Sequence, residues 1–145
     1  MCSITVVITA YRLEKYMALC FEDLFAQTFH DFEIVVLDDA SPDATPQIIQ
    51  AYAARYPERI HTLMQKVNLG SPSKARNAVI RSGLITGTYT LFLDGDDRLE
   101  PSLLADLYTL VPPAQPIISR YAFNPEKMNG QVGPNCSMRV RKKQA

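Results

Sequence analysis

The stretch FEIVVLDD, Phe32–Asp39, is apolar without a break from Ile34 to Leu37 and then ends in two carboxylates. Successive side chains of a strand point to opposite faces, so a strand with one wet face alternates apolar and polar residues. An unbroken β-branched run needs both faces covered, as in a parallel sheet packed between helices. Two other stretches have the same character: SITVVITAY, Ser3–Tyr11, and TYTLFLD, Thr88–Asp94. RIHTLMQ, Arg59–Gln65, is a weaker third of the kind, and PIISRYAF, Pro116–Phe123, a candidate for one more.

Between these runs the period changes from two to that of a helix. Leu13–Gln27 places Tyr16, Leu19, Cys20, Leu24 and Phe25 near helical spacing. Ser41–Pro57 carries turn residues, a helix-entry Pro46, and apolar Ile48, Ile49, Tyr52 and Tyr56 before Pro57 stops it. Asn68–Gly87 opens as a Gly/Ser/Pro loop and continues as a helix with Ala75, Ala78, Val79, Ser82 and Ile85 on one face; Gly87 suits the position just past its end, with Gly83 inside the pattern. Glu100–Leu110 is a short helix with Pro101 at its start. The order β-α-β-α-β-α-β-α-β predicts an α/β fold, a Rossmann-like, mostly parallel sheet with helices on both faces. Right-handed crossovers bring the C-terminal strand ends to one edge, where such sheets bind ligands. Thr9, Tyr11, Asp38, Asp39, the Asn68–Gly70 loop and Asp94–Asp97 all fall there.

The 145 residues correspond to one domain, read as a body over 1–125 and a turn-rich basic tail over 126–145. Fifteen basic and fifteen acidic residues cancel, so no overall field draws the chain to nucleic acid, and none is expected as a partner. The terminal run RVRKKQA, from Arg139, reads as a solvated tail. Cys2, Cys20 and Cys136 are odd in number and irregularly spaced, which suits reduced thiols in the cytosol rather than a disulfide framework or zinc site. The apolar start is too short to span a bilayer.

LFLDGDDRLEP, Leu91–Pro101, crowds Asp94, Asp96 and Asp97 at the end of a strand beside a single cation, Arg98. Like charges at close range raise each other's cost of ionisation. Hard oxygens in this number suit Mg²⁺ or Mn²⁺, which complete their shells with water and phosphate. The alternative is that Asp97 caps the next helix and the others face water. Asp38 and Asp39 stand between two roles as well: one accepts hydrogen bonds from a base or ribose, the other forms an Asx-type turn into ASPDAT. Lys74 and Arg76 sit near a helix start that already favours an anion. No G-x-G-x-x-G or G-x-x-x-x-G-K-[ST] is present.

The blocks AQTFHDFEIVVLDD, NLG…KARN and LDGDD, with their spacing, resemble glycosyltransferase family 2, inverting enzymes of the GT-A fold, from about Ile4 to Leu110. The resemblance implies that Thr9 and Tyr11 line a uridine pocket and that Asp39, with Asp38 beside it, meets the base. Lys74 and Arg76 would lie near the nucleotide and its phosphates. Asp94 and Asp96 match the DXD motif, the first acid near the ribose and the last on the metal, with Asp97 following. It further implies a nucleoside diphosphate sugar donor, UDP-linked, Mn²⁺ or Mg²⁺ as cofactor, a saccharide or lipid-linked acceptor, and a place in the cytoplasm or at the inner face of the membrane.

Arg12 departs from the family's usual Asn at the pocket rim. The acceptor half and catalytic base normally follow the DXD motif at a greater distance than this chain provides, and Glu126, the one carboxylate side chain after Asp106, does not match the base's position. The expectation is therefore either a transferase, or a fragment of one that turns over poorly by itself, or a module that binds nucleotide and metal within a larger assembly. A sheet left uncovered would also favour self-association.

Overall fold

The computed structural model describes residues 2–110 and 140–142. Nine elements follow in order: β1 (Ile4–Ala10), α1 (Met17–Phe25), β2 (Phe32–Asp38), α2 (Thr45–Arg55), β3 (Ile60–Met64), α3 (Pro72–Arg81), β4 (Tyr89–Asp94), α4 (Leu103–Leu110) and β5 (Val140–Lys142). The sheet order is β3-β2-β1-β4-β5. The first four strands are mutually parallel, and β5 runs antiparallel on the outer edge of β4. Three residues of the basic run read as a solvated tail are thus an edge strand. An antiparallel edge on a parallel sheet is common in this fold class.

The unbroken apolar runs are explained by two cores. Val6, Ile8, Ile34, Val36, Leu91 and Leu93 face α1, α2 and α4. The alternate residues Val7, Val35, Leu37 and Phe92 face α3, against Ala75 and Val79. The chain steps outward from β1 to β3 with its helices on one face, then returns through α3 on the other face to place β4 on the far side of β1. The reversal makes the β1/β4 junction the switch point, where a crevice opens beyond the strand ends.

Three local expectations are corrected. The first helix starts at Met17 rather than Leu13 and buries Met17, Cys20, Phe21 and Leu24, while Tyr16 and Leu19 face outward. Phe21 stacks on Tyr52 at 4.6 Å and Phe25 on Tyr56 at 4.1 Å, which rotates α1 toward α2. The helix α3 ends one turn early, with Ser82 as its cap and Gly83 at φ +77° just beyond, so Gly83 rather than Gly87 is its terminal glycine. Gly87 serves by close approach: a Cβ there would lie 2.5 Å from the Thr5 amide nitrogen. The expected strand Pro116–Phe123, Glu126 and Cys136 lie outside the described residues. Among the described residues no helix is long and apolar enough to cross a membrane.

Candidate functional site

At the C-terminal ends of β1, β2 and β4 lies an open cleft of about 630 Å³, within the size range of small-molecule sites. The sheet register builds it. Thr9 pairs with Leu37 on one side and Asp94 on the other, and Ala10 pairs with Asp38. The strands therefore stop level with one another and release their polar termini together. Thr9, Tyr11, Asp39, Arg76, Asp94 and Asp96 all line the cleft, joined by Asn68, Gly70 and Ser71 from the β3–α3 loop.

Asp39 is the hub of one wall. Its amide donates to Ala10 O at 2.8 Å, its Oδ1 accepts from Leu69 N at 2.8 Å, and its carbonyl accepts from Asn68 Nδ2 at 2.9 Å. Its Oδ2 has no hydrogen-bond partner among the described residues. Tyr11 is 43% exposed and carries the Arg12 guanidinium 5.3 Å from its ring centroid. Arg12 has φ +55°, in the left-handed region where Asn is better tolerated than Arg. Its amide donates to Ser41 Oγ at 3.0 Å, and Leu13 N to Thr45 Oγ1 at 2.8 Å, which fastens the β1–α1 loop to the β2–α2 loop.

On the other wall Asp94 is paired with Arg76 at 2.9 Å. The chain then turns, Asp97 N donating to Asp94 O at 3.0 Å. The glycine of this turn is demanded by space rather than by its φ: a Cβ at Gly95 would sit 2.7 Å from Leu13 Cδ1 and 3.3 Å from Ile8 Cγ2. The helix α4 begins at Leu103, so Asp97 does not cap it. Burial, with the neighbouring Asp94 and Asp96 charges, pushes the Asp97 carboxyl up to about 6. Carboxylates crowded this way gain from a nearby cation.

The expected residues divide. Thr9, Tyr11, Asp39, Arg76, Asp94 and Asp96 converge on the cleft, whereas Asp38, Lys74 and Asp97 do not line it. Asp38 is 2% exposed; its Oδ2 accepts from Ser41 N at 3.1 Å, the Asx-type turn, and its Oδ1 is buried without a partner. Lys74 lies in the first turn of α3 with its side chain exposed. Asp94, Asp96 and Asp97 do not converge as three ligands: among the described residues no group of three His, Cys, Asp or Glu side chains is placed to hold a metal. The donors present, Asp94 and Asp96 at the cleft, fit a cation that takes one or two carboxylates and fills its shell with water and phosphate oxygens. Sequence reasoning passes over Ser71, whose Oγ caps α3 by accepting from Lys74 N at 3.3 Å. The Ser-Pro pair after Gly70 is its signal.

A model of glycosyl transferase family 2 matches residues 5–132, and the chain belongs to that family. The poly(ribitol-phosphate) β-N-acetylglucosaminyltransferase TarS of Staphylococcus aureus (strain Mu50) is 33% identical over 108 residues, 73% of this chain and 18% of TarS. The crystal structure of S. aureus TarS 1–349 in complex with UDP-GlcNAc matches with a TM-score of 0.66 at 26% identity, over 83% of this chain and 39% of that one. The mannosyltransferase PcManGT of Pyrobaculum calidifontis, in complex with GDP-Man and Mn²⁺, matches with a TM-score of 0.77 over 97% of this chain and 44% of that one; at 19% identity it shows the shared fold. The chain spans less than half the length of each of these proteins.

Proposed function

We propose that this chain binds a UDP-linked sugar together with Mn²⁺ or Mg²⁺ and supplies the donor side of sugar transfer, with inversion, to an acceptor hydroxyl in polysaccharide or glycoconjugate synthesis. The observation that carries the reading is the convergence of Thr9, Tyr11, Asp39, Arg76, Asp94 and Asp96 on one cleft at the switch point of the sheet. The likeness to TarS, solved with UDP-GlcNAc at 26% identity, supports a UDP-sugar.

The residues divide the work by chemistry. The free Oδ2 of Asp39 accepts from a ring N–H, which uracil has at the position where adenine has none. Tyr11 offers a face for the base. The N-terminus of α3, opening at Ser71 and Pro72 beside the cleft, presents backbone amides that favour the diphosphate. Arg76 neutralises Asp94 and sets its orientation, and Asp96, exposed at the tip of the turn, is the principal metal ligand with Asp94 beside it. The cation, when bound, would offset charge building on the leaving diphosphate as the glycosidic bond breaks. The acceptor is a saccharide or lipid-linked hydroxyl, and the site of action the cytoplasm or the inner membrane face.

Calorimetry with UDP tests this. Binding in Mn²⁺ is expected to fall sharply on adding EDTA, and Asp96→Ala to abolish the metal effect without altering the circular dichroism spectrum, since an exposed turn residue supports no core. Equal UDP affinity with and without metal would sink the proposal.

A further inference from the structure

The carboxylate turn is held from behind by two side chains of the first helical segment. Asp23, in α1, accepts from Arg98 Nε at 2.7 Å, Arg98 Nη2 at 3.0 Å and Leu99 N at 3.0 Å. Gln27 lies one turn further along and is 1% exposed. Its Nε2 donates to Glu100 O at 2.8 Å and Asp23 O at 3.2 Å, while its Oε1 accepts from Leu104 N at 3.0 Å. Thr28 N adds a bond to Pro101 O at 2.8 Å. Residues 98 to 104 are thereby fastened at four backbone positions to one short piece of chain. A loop anchored only by its own hydrophobic contacts would need no such set.

The arrangement has a direction. Upstream, Asp94 ends a central strand and is paired with Arg76. Downstream, the anchor begins at Arg98, immediately after Asp97. The segment between the two fixed points is Gly95-Asp96-Asp97, and a Cβ at Gly95 would lie 2.7 Å from Leu13 Cδ1 and 3.7 Å from Met17 Sδ, so the turn leaves no room for a side chain against the start of the same stretch. The stretch Leu13–Gln27, with α1 at its centre, therefore lies against the turn at its entrance through Leu13 and Met17 and holds its exit through Asp23 and Gln27. The Leu13 backbone is in turn bonded to Thr45 beside the base-side wall.

We infer that Asp23 and Gln27 are positioning residues, which act through Arg98, Leu99 and Glu100 to hold Asp96 in the place at the cleft where it would meet a divalent cation. The inference rests on the proposed nucleotide and metal reading. A turn held at both ends meets the cation without first being ordered, and pre-organisation of that kind raises affinity only for the ligand that uses the turn. Loosening the exit should therefore weaken the metal-dependent part of nucleotide binding and leave the metal-independent part, carried by Tyr11 and Asp39, unchanged.

The test measures UDP affinity of the full chain by calorimetry, in EDTA and in saturating Mn²⁺, for wild type, Asp23→Asn and Arg98→Ala. Arg98 is about half exposed, so its truncation removes the clamp's fork without emptying the core, and it decides the matter if Asp23→Asn folds poorly. Ile49→Val, in the buried face of α2, serves as a control for general loss of stability. The expected result is a Mn²⁺ enhancement reduced at least fivefold in both clamp variants, EDTA affinities within twofold of wild type, and an unchanged enhancement in Ile49→Val. Wild-type enhancement in the clamp variants, or equal losses with and without metal, would overturn the positioning role while leaving the nucleotide and metal reading intact. Absence of any enhancement in wild type would overturn that reading, and this inference with it.

Discussion

Asp39 makes two demands on one carboxylate. Its Oδ1 holds the β3–α3 loop through Leu69 N, and in the proposed function its Oδ2 meets the nucleotide. Substitution by alanine would confuse the two, but Asp39→Asn separates them. The amide oxygen can still accept from Leu69 N, while the NH₂ that replaces Oδ2 confronts the ring N–H donor with another donor. A lost hydrogen bond to a charged group costs about 1.5–3 kcal/mol, so UDP affinity should drop roughly tenfold or more. The melting temperature should stay within a few degrees of wild type. ADP, lacking the ring N–H, should bind weakly to both proteins; ADP binding as tight as UDP would remove Asp39 from the role. Calorimetry and thermal melts on the same samples decide it.

At the scale of elements, the edge of the sheet opposite the cleft is closed by a polar knot. Glu33, near the start of β2, accepts at Oε1 from Thr5 Oγ1 at 2.7 Å, Thr86 N at 2.9 Å and Thr86 Oγ1 at 2.9 Å. Thr5 Oγ1 in turn accepts from Gly87 N at 2.8 Å, and His61 Nε2 of β3 stands 3.6 Å from Glu33 Oε2. The knot ties the entry of β4 to β1 and β2 and so sets the register on which the cleft depends. Burial works against the Glu33 charge, but the Thr5 and Thr86 hydrogen bonds outweigh it and hold the carboxyl below its usual value. Asp23 is likewise depressed: burial opposes, and the bonds from Arg98 and Leu99 prevail. Carboxyls of the unfolded chain titrate near 4, and a group lowered in the folded state contributes stability that is complete above that value and lost as pH falls through its folded one. Urea denaturation should therefore show a decline below about pH 4 from these two carboxyls, preceded by a gain as pH falls from 7 toward 4, because the Asp97 carboxyl, raised to about 6, takes up its proton in the folded state first. Glu33→Gln should lower stability at pH 7 by about 1–3 kcal/mol and flatten the acid decline. A Glu33→Gln protein with the wild-type pH profile would show that Glu33 plays no part in it. Gly87→Ala, which drives a Cβ against the Thr5 backbone, should cost about 1–3 kcal/mol or more at every pH.

For the molecule as a whole, a ligand that binds only the folded state stabilises it in proportion to its occupancy, by about 2.7 kcal/mol at a hundredfold excess over its dissociation constant. UDP with Mn²⁺ should raise the melting temperature by several degrees, and UDP with EDTA by clearly less. A shift that ignores the metal would count against the cation's place beside Asp94 and Asp96. Much of this architecture is legible in the order of the residues alone. The runs at Val6–Ile8, Ile34–Leu37 and Leu91–Leu93 announce a sheet buried on both faces, because a continuous apolar strand has no wet side to present. Their charged ends, Asp39 and Asp94–Asp97, mark the edge where the cleft opens, because right-handed crossovers bring the C-terminal ends of the parallel strands together there. What local pattern cannot decide is everything set by contacts distant in the chain. Whether Asp38 or Asp39 faces the cleft depends on which of two adjacent residues the sheet turns outward, and the pair register with β1 chooses Asp39. The rotation of α1 is chosen by stacking on Tyr52 and Tyr56, so periodicity alone misplaces its buried stripe. The clamp of Asp23 and Gln27 on residues 98–104 joins segments more than seventy positions apart. Hydrophobic period is a local property and survives in the sequence; hydrogen-bond partnership across the fold is not, and only the tertiary structure supplies it.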